Sequence, residues 1–512
     1  MKNYLKILTG NIFLLMILIS SCIGPGNEIV KMIPETALAV VTVNPGQVIE
    51  KSRMQEIPFL KEEVSENAFM SKIFEDPESS GILLDAYSAF FILPGDVDMA
   101  CVVMPVKSES DFETMISELE REVGSEFVSG KIENFRTKQL ENVLVCYNQA
   151  QILMVSAMDG WSDIDLAPIA ESVIRLEKDN ALVTDRDFNN FLGKQKDINA
   201  WITSNNIDKL NEIGDFGEGM DMFGGVKNNY GHIFLDFQKG YMTLRTNLRF
   251  NASWKETIDK YNFLDEKAIK ELLTYLPSEN LLFVGNTNMD PEKIVGLLKL
   301  LHQDFRAAME ELESEMGIDE NDLVKIFSGE VAFSFNTNNV GSANDDFSLE
   351  DMPGFVYAAR IRNESSYDKF INLAETHSNM VDKGEYYEMW QGFPAYITKV
   401  KKDMIISNSE DIIKEIIGKG KLKKNVTTAP YKNILTSNPV CFFLNLDKST
   451  YTEDMQRYYD EMTGKMPGVV DVVGPKLKSL TFSAELEEWE FRIDLKDNSE
   501  NFLYAMLKEI DK

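Results

Sequence analysis

Ile33-Pro34-Glu35-Thr36-Ala37-Leu38 leads into an apolar, β-branched run, Ala39-Val40-Val41-Thr42-Val43. Leu276-Pro277-Ser278-Glu279-Asn280-Leu281, 243 positions later, leads into Leu282-Phe283-Val284-Gly285-Asn286. The same spacing sets Ser88-Ala89-Phe90-Phe91 against Val331-Ala332-Phe333-Ser334, and residues 187–192 against 430–435. A self-match that keeps its order and spacing points to an internal repeat.

The offset rises to 255 where Ser110-Asp111-Phe112-Glu113 meets Ser365-Ser366-Tyr367-Asp368. Each is a Ser-x-x-acid box, which places helices at about 109–121 and 365–376 with Ser110 and Ser365 as caps. The shift comes largely from an extra polar loop over 336–353. At the end of each half the offset is 247, with Ile233, Leu235, Phe237, Leu244 and Arg245 on Leu480, Phe482, Ala484, Phe491 and Arg492. Two homologous domains follow, 28–275 and 276–512, on this repeat argument.

Each half gives one element order. A strand opens it (38–43; 281–286), and helices follow. Then come two strands (88–93 and 99–106; 330–336 and 355–362), the capped helix, and two more strands (142–147 and 152–157; 395–400 and 404–408). A helix (164–177; 411–418), a strand (198–203; 440–446), a Gly-rich link, a hairpin and a terminal helix complete the half. Most neighbouring strands are joined by tight turns, so the expected fold class is α+β, a mostly antiparallel sheet with helices packed against it in each domain. Alternation along 241–248 leaves one sheet face wet or helix-covered.

Composition limits the function. The chain has 512 residues, 52 Lys+Arg against 83 Asp+Glu, and a formal charge of −31. Phosphate binding is driven by basic residues, so nucleic acid is excluded as a partner. Residues 1–21 carry Lys2 and Lys6, then an apolar stretch from Ile12 to Ile19, then Ser20-Ser21. This is a signal-peptide pattern, with an apolar core too short to span a bilayer. Ile19-Ser20-Ser21-Cys22 resembles a bacterial lipobox, which implies cleavage before Cys22 and lipidation of its thiol. Residues 22–27 then form the tether, and the mature charge becomes −33. The alternative is an ordinary signal cut after a small residue.

No catalytic or metal constellation emerges, and no cofactor is expected. His232, His302 and His377 match no metal-ligand spacing and read as structural. Cys101, Cys146 and Cys441 fall inside strands and read as core thiols, with a Cys101–Cys146 disulfide conceivable. Acidic runs at 159–165 and 344–351 read as a turn with a helix cap and as a solvated loop rather than calcium sites. The Gly-rich links at 214–225 and 464–470 recur in both halves but are not phosphate loops. Met220, Met222 and Phe223 in the first and Met466 in the second are the candidate partner- or ligand-binding residues, as adaptable apolar contacts. The alternative is that they fold back on their own domain.

The lipobox, the Ile33–Ala37 opening and the duplicated α+β body resemble a family of uncharacterised lipoproteins from Bacteroides relatives, domain of unknown function 4836. That resemblance implies a cell-envelope location and brings no activity or site residues. In that group an acidic run after the lipidated cysteine accompanies surface display. Ile23-Gly24-Pro25-Gly26-Asn27-Glu28 lacks one, which implies an outer-membrane anchor facing the periplasm. The expected role is a non-catalytic, lipid-anchored protein that binds an envelope protein, a glycan or an apolar ligand. The alternatives are an envelope hydrolase with a carboxylate or metal site between the halves, and an apolar-ligand carrier with a Met/Phe-lined cavity.

Overall fold

The structure, a computed structural model, describes residues 28–65, 77–95, 97–124, 126–140, 142–158, 164–206, 228–264, 269–301, 320–337, 353–390, 393–457 and 473–510. The protein is α+β. Its chain forms two compact units, Met1–Asn251 with Asn498–Lys512, and Ala252–Asp497. These bounds differ from a break at 275/276. Residues 261–276 belong with the second unit because Asp290 N–H donates to Phe263 O at 2.7 Å and Leu272, Leu273 and Leu276 enter the core around Val284. The C-terminal helix Phe502–Ile510 belongs with the first. There the Tyr504 hydroxyl donates to Glu56 at 3.1 Å and Arg53 lies 5.0 Å over the Tyr504 ring.

In the first unit the strands are β1 (Ala39–Val43), β2 (Ser88–Leu93), β3 (Met99–Pro105), β4 (Val128–Ile132), β5 (Phe135–Leu140), β6 (Val143–Tyr147), β7 (Gln151–Ala157), β8 (Ile198–Thr203), β9 (Tyr230–Gln238) and β10 (Tyr241–Arg249). They pair antiparallel in the order β4-β5-β6-β7-β3-β2-β1-β8-β9-β10.

In the second unit they are β11 (Leu281–Asn288), β12 (Phe327–Asn336), β13 (Gly354–Ile361), β14 (Met380–Asp382), β15 (Tyr387–Trp390), β16 (Pro394–Val400), β17 (Asp403–Ser407), β18 (Val440–Asn445), β19 (Leu477–Ala484) and β20 (Glu488–Leu495). Their order is β14-β15-β16-β17-β13-β12-β11-β18-β19-β20, again antiparallel throughout. The connectivity of the two sheets is the same.

The segment that opens each half is fixed in the same way. Proline has no N–H to give a ladder, so Pro34 and Pro277 sit in isolated bridges, against Ala181 and Asn425. On either side the main chain is tied down. Leu182 N–H donates to Ile33 O at 2.8 Å and Glu35 N–H to Asn180 O at 2.9 Å. Val426 N–H donates to Leu276 O at 3.0 Å and Ser278 N–H to Lys424 O at 3.3 Å.

Two local expectations are corrected. The helices Glu109–Val123 and Glu364–His377 are capped by Ser108 and Asn363, whose side chains accept from Asp111 N–H and Ser366 N–H. Ser110 and Ser365, the expected caps, lie two residues past the observed ones, inside the helices, because the extended backbone ends at 108 and 363. In the final hairpins Ala200 pairs with Ile233 and Phe442 with Phe482, so Ile233 takes the place expected for Leu235. The turns explain the slip. Gln238 pairs with Tyr241 in one hairpin, whereas Ala484 pairs with Trp489 in the other. A shift of two keeps each side chain on its face.

Alternate residues feed opposite faces of each sheet. In the first unit Val40, Phe91, Cys101 and Trp201 face a core closed by Phe188 and Phe191. The other face carries Val102 and Met104 under Phe112, Met115, Met54, Ile49 and Leu60. In the second unit Val284, Ala332, Val356, Ile405 and Cys441 face a core closed by Ile413, Ile416 and Leu435. Its other face is covered at one side by Tyr367 and Ile371, over Ala359, Ile361 and Met404.

Candidate functional site

The rest of that face in the second unit is a row of phenylalanines. Phe491 on β20, Phe482 on β19, Phe442 on β18, Phe283 on β11, Phe335 on β12 and Phe355 on β13 lie on successive strands, and none is fully buried. Neighbouring ring centroids are 4.5, 5.6, 5.8, 6.3 and 6.5 Å apart in that order. These spacings fall in the range of favourable aromatic pairs. The row exists because β12, β13, β18 and β19 each place a Phe at the one strand parity that faces outward.

Gly285 makes room for it. A Cβ at this position would lie 2.4 Å from Phe442 and 2.8 Å from Phe333, so any side chain there would displace the rings. A glycine inside a strand otherwise costs stability and marks a close approach. The residue facing the same way at the matching point of β1 is Val41, which pairs with Phe90 and Ala200.

At the β12–β13–β17 end the row opens into a hollow of about 600 Å³ lined by Val331, Phe333, Phe335, Phe355, Tyr357 and Ile406. Its lining is mainly apolar, with Ser334 and Tyr357 the polar residues among it, and burial pushes up the pKa of the Tyr357 phenol. The corresponding residues of the first unit, Phe90, Val102 and Met154, pack with Met54, Ile49 and Leu60. Among the described residues, one framework's face is covered by its own side chains and this part of the other's is not.

Charged groups stand apart from the hollow. Asp403, 4% exposed, accepts from the Tyr275 hydroxyl at 2.9 Å and from Arg360 Nε at 2.6 Å. Arg360 also pairs with Glu271 at 2.7 Å and Glu330 at 3.3 Å. Every partner is matched, and the group ties residues 271–275 to β13 and β17. In the first unit Lys51 pairs with Asp197 at 2.8 Å and Asp236 at 3.4 Å. Burial leads in raising the Asp197 pKa, against its bonds from Lys51 and the Phe237 N–H. Among the described residues no three His, Cys, Asp or Glu side chains come together to hold a metal ion.

Cys22, the residue for lipidation, lies outside the described residues, as do Met220, Met222, Phe223, Met466, His302 and both acidic runs apart from Ile164 and Asp165. Cys101 and Cys146 are free. They pair with Val155 and Leu153 of β7, which separates them by about 10 Å, beyond disulfide reach. Burial pushes the Cys146 thiol up to about 12, which suits a packing role. His232, 3% exposed, stacks on Trp201 with centroids 4.9 Å apart. Burial, then Arg249 and Lys194, lower its pKa to about 4. The phenylalanine row was not anticipated. Its signal was present in Phe333-x-Phe335, Phe355-x-Tyr357 and the facing Phe442, an aromatic alternation at the strand period.

Fold and site define an α+β protein built on antiparallel sheets, with an open aromatic hollow on one sheet face. The chain belongs to the family described as Domain of unknown function (DUF4836), whose model matches residues 30–503. No curated protein matches it. Among solved structures, crystal form I of TP0453 is similar at 10% identity and a TM-score of 0.28, over 47% of this chain and 87% of that one. Crystal form IV of TP0453 has the same identity and TM-score, over 43% of this chain and 79% of that one.

Proposed function

We propose that this is a non-catalytic, lipid-anchored envelope protein that holds an apolar ligand in the hollow of its second unit. The observation that carries the reading is the contrast between two sheets of the same connectivity. Ile49, Met54 and Leu60 seal the face in one, while Phe333, Phe335, Phe355 and Tyr357 line an open hollow in the other. A concavity walled mainly by apolar side chains and by no charged one suits a ligand held by burial, not by charge. The common strand order also supports reading the chain as one α+β domain used twice, in which the second copy diverged to bind. The anchor rests on the order Lys2, Lys6, an apolar core and Ile19-Ser20-Ser21-Cys22.

An environment-sensitive apolar dye, titrated into the mature protein, tests the binding claim. Wild type should bind it and Ile406→Asp should weaken binding at least tenfold, because a carboxylate in the hollow must be desolvated. Equal binding by folded Ile406→Asp would overturn the site.

A further inference from the structure

Phe335 and Phe355 belong both to the hollow and to the row of rings that leaves it. From them the row passes through Phe283, Phe442 and Phe482 to Phe491, with successive centroids no more than 6.5 Å apart. Six adjacent strands at about 4.8 Å spacing make it roughly 24 Å long. A fully extended chain advances roughly 1.2 Å per bond, so about 20 carbons span that distance. The interior strands beneath the rings have their main-chain groups paired on both sides, so an added peptide strand would find no backbone partners. A compact polycycle would fill only the hollow. The chain's formal charge of −31 also disfavours an anionic head group nearby.

We propose that the occupant is one long unbranched acyl chain under a neutral or zwitterionic head group, lying across the strands from the hollow to Phe491. This rests on the reading of the hollow as an apolar-ligand site. Phe491, 36% exposed, and Trp489 beside it, 40% exposed, mark where the row meets solvent.

The test is displacement of the apolar dye from the full mature chain by lysophosphatidylcholines of roughly 8 to 20 carbons, kept below their micelle thresholds. Affinity should rise about two- to fourfold per added CH₂ and level off near 16–20 carbons. Phe491→Ser should weaken the longest chain about fivefold and leave the shortest unchanged, since only the longest reaches that ring. Phe482→Leu, which keeps the strand packed, should show the same length dependence more mildly. If the shortest chain binds as tightly as the longest, or folded Phe491→Ser weakens neither, the ligand ends in the hollow and this inference falls while the hollow stands. Tighter binding of a long-chain carboxylate than of the zwitterionic chain overturns the head-group assignment. If neither dye nor any chain binds, the apolar-site reading itself falls.

Discussion

Leu182 donates its backbone N–H to the carbonyl oxygen of Ile33 at 2.8 Å, and Val426 makes the corresponding bond to Leu276 at 3.0 Å. Ile33 and Leu276 are wholly buried, each beside a proline that cannot pair further. If the units are two copies of one framework, Ile33→Ala and Leu276→Ala should destabilise their units comparably. Each loss should be about 2–5 kcal/mol, as for other buried aliphatic truncations. Urea unfolding followed by near-ultraviolet dichroism checks this. A large loss at one position and none at the other would contradict it.

Gly285 should resist substitution by alanine. Alanine ordinarily gains about 0.5–1 kcal/mol over glycine inside a strand. Here its Cβ would meet Phe442 at 2.4 Å, and overpacking of that kind costs about 1–3 kcal/mol. The expected result is net destabilisation together with weaker dye binding, because the same Cβ would meet Phe333, which walls the hollow, at 2.8 Å. A stabilised Gly285→Ala protein with unchanged binding would show that the rings are not held over this position.

His232 should confer acid sensitivity. Its folded pKa is lowered to about 4 from an ordinary value near 6.5, so between these values the unfolded chain binds the extra proton. Stability is therefore intact above about pH 6.5, falls as pH drops toward 4, and levels off below, with a total loss of up to about 3 kcal/mol. The difference in unfolding free energy between wild type and His232→Phe, followed across that window, isolates the effect from the many carboxylates. A difference that does not change with pH would refute it.

Cys22→Ala should release the protein from the membrane fraction, since acyl chains supply the attachment at about 0.8 kcal/mol per buried CH₂. Cell fractionation with immunodetection reads the outcome, and continued sedimentation with membranes would refute lipid anchoring.

Strand positions were legible because the chain punctuates them well. Val40 to Val43, Phe90 to Phe91 and Val440 to Leu444 are β-branched or aromatic runs between turn residues, and the antiparallel order follows from short connections. Cap positions were not, because Ser108 and Ser110 both satisfy a capping pattern and only the backbone at 108 decides between them. The site was hidden for a different reason. Matching the halves rewards what they share, whereas the hollow arises where they differ, with Phe355 and Tyr357 at the positions that Ala100 and Val102 hold in the first unit, and Gly285 at that of Val41. Half-buried rings on a sheet face also carry no local signal, since whether a helix covers them is a tertiary matter.

An acyl chain lying on the aromatic face would be reported by quenching of Trp489. This residue lies beside Phe491 at the solvent end of the row and is one of five tryptophans in the chain. The measurement is the fluorescence difference between wild type and Trp489→Phe with a long lysophospholipid brominated near the head-group end or at the chain terminus. The Trp489 component should be quenched by bromine at the chain terminus and spared by bromine near the head-group end. No quenching from either end, with binding verified by dye displacement, would contradict it.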